Sequence, residues 1–230
     1  MKIVGMLGGI GPESSVEYYR LLIAGYRARV PDGSYPAIVI NSINMTAMRS
    51  LVEANELPGL TQYLLEEINR LAVAGAEFGF MASNTPHIVF NSVRRQSPIP
   101  LISIVEATSQ AAQVQGLKRL ALFGTRFTMQ GEFYPQVFSP AGIALVVPPP
   151  GEQAYIHDKY MNELVLGTFL PETRAGLLAI ADRMRERDQV DGLILGGTEL
   201  PLILNNVASP VPFLDTTQIH VQAVLAHLLG

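Results

Sequence analysis

The fold assignment rests first on the segment Met81-Ala82-Ser83-Asn84-Thr85-Pro86-His87. It follows an apolar run, Ala76 to Phe80, which is typical of a buried strand, and it then places small polar side chains in a tight turn. A second stretch, Leu195-Gly196-Gly197-Thr198-Glu199-Leu200, ends a similar apolar run later in the chain. Ligands of α/β proteins bind beside the carboxyl ends of parallel strands. We therefore expect the two turns to face each other across one small-molecule site.

The predicted elements alternate between strands and helices along the chain, which indicates parallel sheets covered by helices. Three landmarks recur at nearly the same interval: Gly8 is matched by Gly124, Ser83 by Gly197 and Pro100 by Pro212. This spacing indicates an internal duplication. The predicted fold class is therefore α/β, with two pseudo-symmetric parallel-sheet domains and the site in the interdomain cleft. The expected boundaries are 1–97 plus 213–230 for the first domain and 98–212 for the second.

The composition narrows the classes of function. The chain has 230 residues, 48% hydrophobic and 16% charged, with a net charge of −4 and no basic run, so nucleic acid is not an expected partner. No signal-peptide pattern and no apolar run of membrane-spanning length is present, so we expect a cytoplasmic protein that does not bind membranes. Cysteine is absent altogether, which excludes disulfides, thiolate metal ligands and thiol catalysis.

The glycine-rich turn after the first strand, Gly8-Gly9-Ile10-Gly11, suggests two readings. It lacks the third glycine of a dinucleotide-binding fingerprint, because Pro12-Glu13-Ser14 follows Gly11. The turn could present backbone N–H groups, at Gly9 and Ile10, to a carboxylate at the start of a helix. It could equally be a plain connection between a strand and a helix.

Neutral hydrogen-bond donors collect at the ends of the predicted strands. Asn84 and Thr85 accompany Ser83, Thr125 and Thr128 follow Gly124, and Thr198 follows Gly197. Each of these residues alone is typical of a helix cap. Together, at equivalent strand ends, they favour binding of a small carboxylate, with Arg126 as a nearby cation.

The candidate catalytic residues are Ser83, His87 and Glu199, and of these Glu199 could act as an acid/base or merely orient its turn. A serine-hydrolase reading is weak, because Ser83 lacks a Gly-x-Ser-x-Gly elbow. The histidines are scattered along the chain, so we expect no metal site. We expect no cofactor. The four histidines are His87, His157, His220 and His227.

Four motifs resemble, in order, the signature turns of the aspartate/glutamate racemase superfamily, and the closest similarity is to its broad-specificity amino-acid racemase branch. The motifs are Leu7-Gly8-Gly9-Ile10-Gly11-Pro12-Glu13, Ala82-Ser83-Asn84-Thr85-Pro86-His87, Gly124-Thr125-Arg126-Phe127-Thr128-Met129 and Gly196-Gly197-Thr198-Glu199, followed near the end by Asp215-Thr216-Thr217-Gln218-Ile219-His220. The resemblance covers the whole chain.

The resemblance implies a cofactor-independent homodimer of two α/β domains that racemises an amino acid. It also implies two catalytic cysteines, one at each turn, and these positions fall on Ser83 and Gly197. Here both are replaced, so the family's two-thiol mechanism is excluded by composition. The apolar Met48 and Leu166 stand where relatives with acidic substrates place basic residues, although Arg49 and Arg126 are near. We therefore expect a ligand with an apolar or neutral side chain.

Several functions remain open from the sequence. The first is an active isomerase in which Ser83, His87 and Glu199, with Glu13 or Tyr18, handle protons without a thiol. The alternatives are an impaired homologue that binds a small carboxylate, a divergent lyase, decarboxylase or cyclase, and an engineered chain whose cysteines were removed. The proline-rich stretch Pro148 to Pro150 also predicts a mobile loop at Gly151 to Tyr160.

Overall fold

The computed structural model describes residues 2–204 and 207–230 and divides the chain into two compact units. Unit 1 comprises the residues up to Ser103 together with His220–Gly230, and unit 2 comprises Ile104–Ile219. No helix in the part of the chain that the structure describes has both the length and the apolar character needed to span a membrane.

Unit 1 is built on a four-stranded parallel sheet with the order β2-β1-β3-β4. Its elements, in chain order, are β1 (Ile3–Gly8), α1 (Pro12–Arg29), β2 (Ala37–Ser42), α2 (Met45–Glu53), α3 (Leu57–Val73), β3 (Phe78–Met81), a 3₁₀ helix (Thr85–Val89), α4 (Phe90–Gln96) and β4 (Leu101–Ile102).

Unit 2 has the equivalent parallel sheet, with the order β6-β5-β7-β8. Its elements are α5 (Ile104–Val114), β5 (Arg119–Gly124), α6 (Arg126–Gln130), α7 (Pro135–Phe138), β6 (Ala144–Val146), α8 (Pro150–Asn162), a 3₁₀ helix (Leu164–Leu166), α9 (Pro171–Asp188), β7 (Gly192–Gly196), α10 (Leu200–Leu204) and β8 (Phe213–Asp215). The last helix, α11 (Thr216–Leu229), starts in unit 2 and ends in unit 1.

The predicted internal duplication is confirmed by the sheets. Gly8 is the last residue of β1 and Gly124 is the last residue of β5. Matching bonds hold the outer strands: Gly79 N–H donates to the Pro100 carbonyl at 2.9 Å, and Leu193 N–H donates to the Pro212 carbonyl at 3.0 Å. The same strand order with the same connections gives the two sheets one architecture.

In each sheet, an acidic side chain accepts hydrogen bonds from backbone N–H groups at the amino-terminal ends of the strands. A Glu77 carboxylate oxygen accepts from Ile3 N–H at 2.7 Å in unit 1. In unit 2 the Asp191 carboxylate accepts from Lys118 N–H at 2.7 Å and from Arg119 N–H at 3.0 Å. These carboxylates satisfy backbone donors that the first strand of each sheet would otherwise leave unpaired.

The strands read as continuous apolar runs because both faces of each parallel sheet are covered. β3 and β7 are buried along their whole length. One face of the unit 1 sheet packs against α1 and the end of α11, and the unit 2 sheet packs against α8, α9 and α10. Burial of these runs is the main source of each unit's stability.

The structure differs from the sequence-based expectations in two places. The boundaries expected after residues 97 and 212 lie instead after Ser103 and Ile219, because β4 pairs with β3 and β8 pairs with β7. The mobile loop predicted at Gly151 to Tyr160 is wrong: this segment lies in α8, which begins at Pro150. A proline is compatible with the first turn of a helix because its missing N–H has no partner there.

Candidate active site

The sheet order places the candidate residues at one point in each unit. In the order β2-β1-β3-β4 the connections run in opposite directions on either side of the β1–β3 pair, and ligands of such sheets bind at the carboxyl ends flanking this switch. The turns after β1 and β3 carry Gly9 and Ser83. The turns after β5 and β7 carry Thr125 and Gly197.

The strand registers make Ser83 and Gly197 equivalent positions. Leu7 pairs with Met81 in unit 1, and Ala82 N–H donates to the Leu7 carbonyl at 2.9 Å, so Ser83 is the next residue out. Gly124 pairs with Gly196 in unit 2, so Gly197 is the next residue there. The structure therefore places both predicted positions just beyond the paired part of the central strands.

A side chain from the first turns of α1 forms a hydrogen bond with the glycine-rich turn of unit 1. Gly9 has φ +82°, and a Cβ atom there would lie 2.4 Å from the Ile43 carbonyl oxygen, so both conformation and space require glycine. Gly9 N–H donates to Ser15 Oγ at 2.8 Å, and the Ile10 side chain is buried. A carboxylate bound by Gly9 N–H would therefore compete with Ser15.

The turn after β3 is buried and leads directly into the 3₁₀ helix. Ser83, Asn84 and His87 are buried, and Thr85 is partly exposed. His87 N–H donates to the Asn84 carbonyl at 2.9 Å, and the His87 ring stacks on Phe90 with centroids 4.8 Å apart. Burial, reinforced by the charge of His220, lowers the pKa of His87 to about 3. The imidazole is therefore neutral near pH 7 and a weak base.

The two additional proton-handling candidates, Tyr18 and Glu13, have different surroundings. The Tyr18 hydroxyl is buried in the unit 1 core, 2.9 Å from His220 Nδ1, and Glu13 is exposed on the first turn of α1. His220 Nε2 lies 3.1 Å from the Ile102 carbonyl, which only accepts, so Nε2 carries the hydrogen and Nδ1 accepts from Tyr18. This pair ties α1, β4 and α11 together.

The first strand end of unit 2 carries a helix cap. Thr125 Oγ1 accepts from Thr128 N–H at 3.3 Å as the N-cap of α6, and Thr128 is buried beneath it. Arg126 is exposed, and its guanidinium lies 5.4 Å from the Phe127 ring centroid. The backbone N–H of Arg126 donates to His157 Nδ1 at 3.2 Å. The predicted neutral donors and the cation thus adjoin on one short helix.

The second strand end of unit 2 holds a buried carboxylate. Glu199 is 1% exposed, and its Oε2 accepts from Thr198 Oγ1 at 2.9 Å and from the hydroxyl of Tyr160. Tyr160 comes from α8 and was not among the residues predicted from the sequence. No sequence signal points to Tyr160. In the structure, a Cβ at position 197 would lie 2.4 Å from Tyr160 Cε2.

The start of α11 adjoins the same sheet. Thr216 Oγ1 donates to the Leu195 carbonyl of β7 at 2.7 Å, and Asp215 Oδ1 accepts from the N–H groups of Thr217 and Gln218 at 2.9 and 3.0 Å. The Asp215-Thr216-Thr217 motif therefore caps the helix and attaches it to the central strand.

Comparison with known proteins agrees with this architecture. Residues 7–224 match the family model described as Asp/Glu/Hydantoin racemase. The structure superposes on that of an Asp/Glu racemase candidate from Yersinia pestis with a TM-score of 0.90 and 29% identity, and on that of an aspartate racemase homologue from Pyrococcus horikoshii OT3 with a TM-score of 0.86 and 31% identity, covering 100% of both chains in each case.

Among curated proteins, the chain is 21% identical over 225 residues to the broad-specificity amino-acid racemase RacX of Bacillus subtilis (strain 168), covering 94% of this chain and 93% of that protein. The family model, the relative and the solved structures all point to an isomerase of the racemase type. The chain belongs to the Asp/Glu/hydantoin racemase family.

Proposed function

We propose that this chain is a cofactor-independent isomerase that removes and returns the proton on the carbon next to the carboxylate of a small amino acid, without a thiol. The observation that carries the proposal is the buried Glu199 carboxylate at the carboxyl end of β7, beside Gly197 and in contact with two hydroxyl groups. A buried carboxylate at a switch point is a candidate general acid/base.

The chemistry balances without an oxidant or a reductant. The Cα–H bond breaks, the proton goes to the protein base, and the electron pair left on Cα is delocalised into the substrate carboxylate. A second protein group must then donate a proton to the opposite face of Cα, which inverts the centre. Hydroxyl donors of the same unit as Glu199, such as Thr125 and Thr128, would stabilise the negative charge that develops on the carboxylate.

The positions of the lysines support a mechanism without a Schiff-base cofactor, since such a cofactor needs a lysine at the site. The chain has three lysines. Lys2 and Lys118 precede β1 and β5, at the edge of each sheet opposite the candidate turns. Lys159 lies in the last turn of α8 and forms an ion pair at 2.5 Å with Glu163, the C-cap residue of that helix.

The ion pair formed by Arg49 supports a substrate with a neutral side chain. Its guanidinium forms an ion pair with Glu53 at 3.2 Å, one turn further along α2, and both side chains are about half exposed. Met48 beside it is buried. This segment therefore presents no uncompensated positive charge to an acidic substrate.

The proposal is tested by α-proton exchange. The protein is incubated in D₂O with a panel of L- and D-amino acids, and the α-proton is followed by NMR beside chiral chromatography. We expect exchange with inversion, and we expect Glu199→Gln to slow it by about 100-fold or more. Asp191→Asn, which alters a carboxylate at the opposite edge of the same sheet, is the matched control and should keep the wild-type rate.

Other outcomes separate the alternatives. Exchange without inversion would show a one-base reaction and contradict racemisation. Thermal stabilisation by one amino acid in the absence of any exchange would identify a binding protein and contradict the proposal.

A further inference from the structure

The space beside Gly197 is filled by a side chain from another element. An ideal Cβ on Gly197 would lie 2.4 Å from Cε2, 2.9 Å from Cζ and 3.0 Å from the hydroxyl oxygen of Tyr160. Gly197 is not among the residues with positive φ, so its backbone conformation would accept other residues. Glycine is required here because the Tyr160 ring occupies the position that any side chain at 197 would take.

The Tyr160 ring is held in this position from two sides. It lies on the buried face of α8 with Gln153 and Ile156, and it packs in the unit 2 core with Leu164 and Leu200. At its other end the hydroxyl donates to Glu199 Oε2. Moving the ring away from Gly197 would therefore break a buried hydrogen bond to a carboxylate, which is costly.

The hydroxyl of Tyr160, the hydroxyl of Thr198 and the carboxylate of Glu199 form one buried cluster. Tyr160 is 6% exposed, and both hydroxyls donate to the same oxygen, Oε2. Burial, and then the charge of Glu199, raise the pKa of Tyr160 well above its usual range. The phenol is therefore neutral, and it can take up a proton only by passing its own proton to Glu199.

We propose that the Tyr160 hydroxyl is the proton-transfer group at the β7 end of the site, standing where a side chain at position 197 would stand, with Glu199 behind it as the proton store. This inference rests on the proposed function and names the group that touches the substrate. In the forward step the Cα–H bond breaks and the proton binds the phenol oxygen. The phenol O–H bond breaks at the same time, and its proton passes to Glu199 Oε2. The electron pair left on Cα is delocalised into the substrate carboxylate. Protonation of Cα by the phenol, with return of the Glu199 proton to the phenol oxygen, reverses the step.

The proton-transfer role is tested with Tyr160→Phe, which keeps the ring and removes only the hydroxyl. We expect α-proton exchange in D₂O to fall by about 100-fold or more, with KM little changed. Tyr160→Phe combined with Glu199→Gln should be no slower than either single variant, since the two groups act as one unit. Tyr134→Phe, which removes another buried phenol hydroxyl of unit 2, is the matched control and should exchange at the wild-type rate. Full exchange in Tyr160→Phe would overturn the proposal.

The placement of the ring is tested separately, by thermal unfolding, so that it does not depend on activity. Gly197→Ala should lower Tm by roughly 5 °C in the wild type and in Tyr160→Phe, and by much less in Tyr160→Ala, where the ring is gone. Equal losses in all three backgrounds would show that Tyr160 does not fill this space.

A last experiment places a thiol in the space that is left when the Tyr160 ring is removed. Gly197→Cys in the Tyr160→Ala background should recover exchange above the Tyr160→Ala level, and alkylation with iodoacetamide should abolish the gain. Absence of exchange in the wild type with every amino acid would defeat the proposed function and this role together. Coupling between positions 160 and 197 in Tm would then still stand as a packing result.

Discussion

His220 shows how burial sets the protonation state of a single residue. Its ring bridges the Tyr18 hydroxyl and the Ile102 carbonyl, and burial lowers its pKa to about 4. Protonation would place a second hydrogen on Nδ1, where Tyr18 donates. The neutral tautomer is therefore part of the unit 1 core, and the nearby His87, with a pKa of about 3, is neutral for the same reason.

The low pKa of His220 predicts loss of stability in acid. In the unfolded chain the imidazole binds a proton as the pH falls below about 6.5, whereas in the folded chain it does so only near pH 4. This contribution to the free energy of unfolding is complete above pH 6.5 and decreases by about 3 kcal/mol as the pH falls to 4. His220→Gln, which keeps a donor and an acceptor, should flatten the dependence in urea titrations between pH 6.5 and 4. An unchanged slope would contradict this account.

At the scale of elements, the amino-terminal and carboxyl-terminal ends of the strands in each sheet carry different kinds of residue. The amino edges are closed by Glu77 and Asp191, which accept hydrogen bonds from strand backbones. The carboxyl edges carry glycine turns and short helices such as α6, capped by Thr125. The stabilising carboxylates and the proposed site thus lie at opposite ends of the same strands, since ligands of parallel α/β sheets bind at the carboxyl ends.

This division predicts a contrast between two variants of unit 2, one at each end of its strands. Thr125→Ala removes the cap of α6, and Asp191→Ala removes two bonds at the amino edge, so each should lower the free energy of unfolding by about 1–2 kcal/mol. Only Thr125→Ala should also raise KM in the exchange assay, because only Thr125 adjoins the proposed site. Thr125→Ser, which keeps the hydroxyl, should restore both values. A raised KM in Asp191→Ala would show that the effect follows stability alone.

At the scale of the whole molecule, the chain leaves unit 1 and returns to it. The end of α11 supplies apolar side chains to the unit 1 core beside α1, so unit 1 is completed only by the last residues of the chain. Leu225 is fully buried, and its Cδ1 lies 2.5 Å from where a Cβ of Gly25 would be. The homodimer implied by the resemblance stays a prediction.

The returning helix predicts a strong effect of mutations near the end of the chain. Leu225→Ala should lower the free energy of unfolding by about 2–5 kcal/mol, because it leaves a cavity against α1. Leu229→Ala, four residues later on the same helix, should cost much less, because that side chain is 40% exposed. Both values are measured by chemical denaturation. Similar losses for the two variants would show that the end of α11 is not part of the unit 1 core.

Local patterns were sufficient to predict the strands, the duplication, the turns that end the central strands and the absence of a thiol, because apolar runs, glycine spacing and composition can be read from consecutive residues. Two other features became visible only in the folded chain: Tyr160 fills the space beside Gly197 and binds Glu199, and His220 receives the hydrogen bond of Tyr18. These pairs join residues far apart in the chain, on helices and strands whose packing no local pattern specifies. The missing side chain at 197 is visible in the sequence, but what occupies its place depends on how α8 packs against β7.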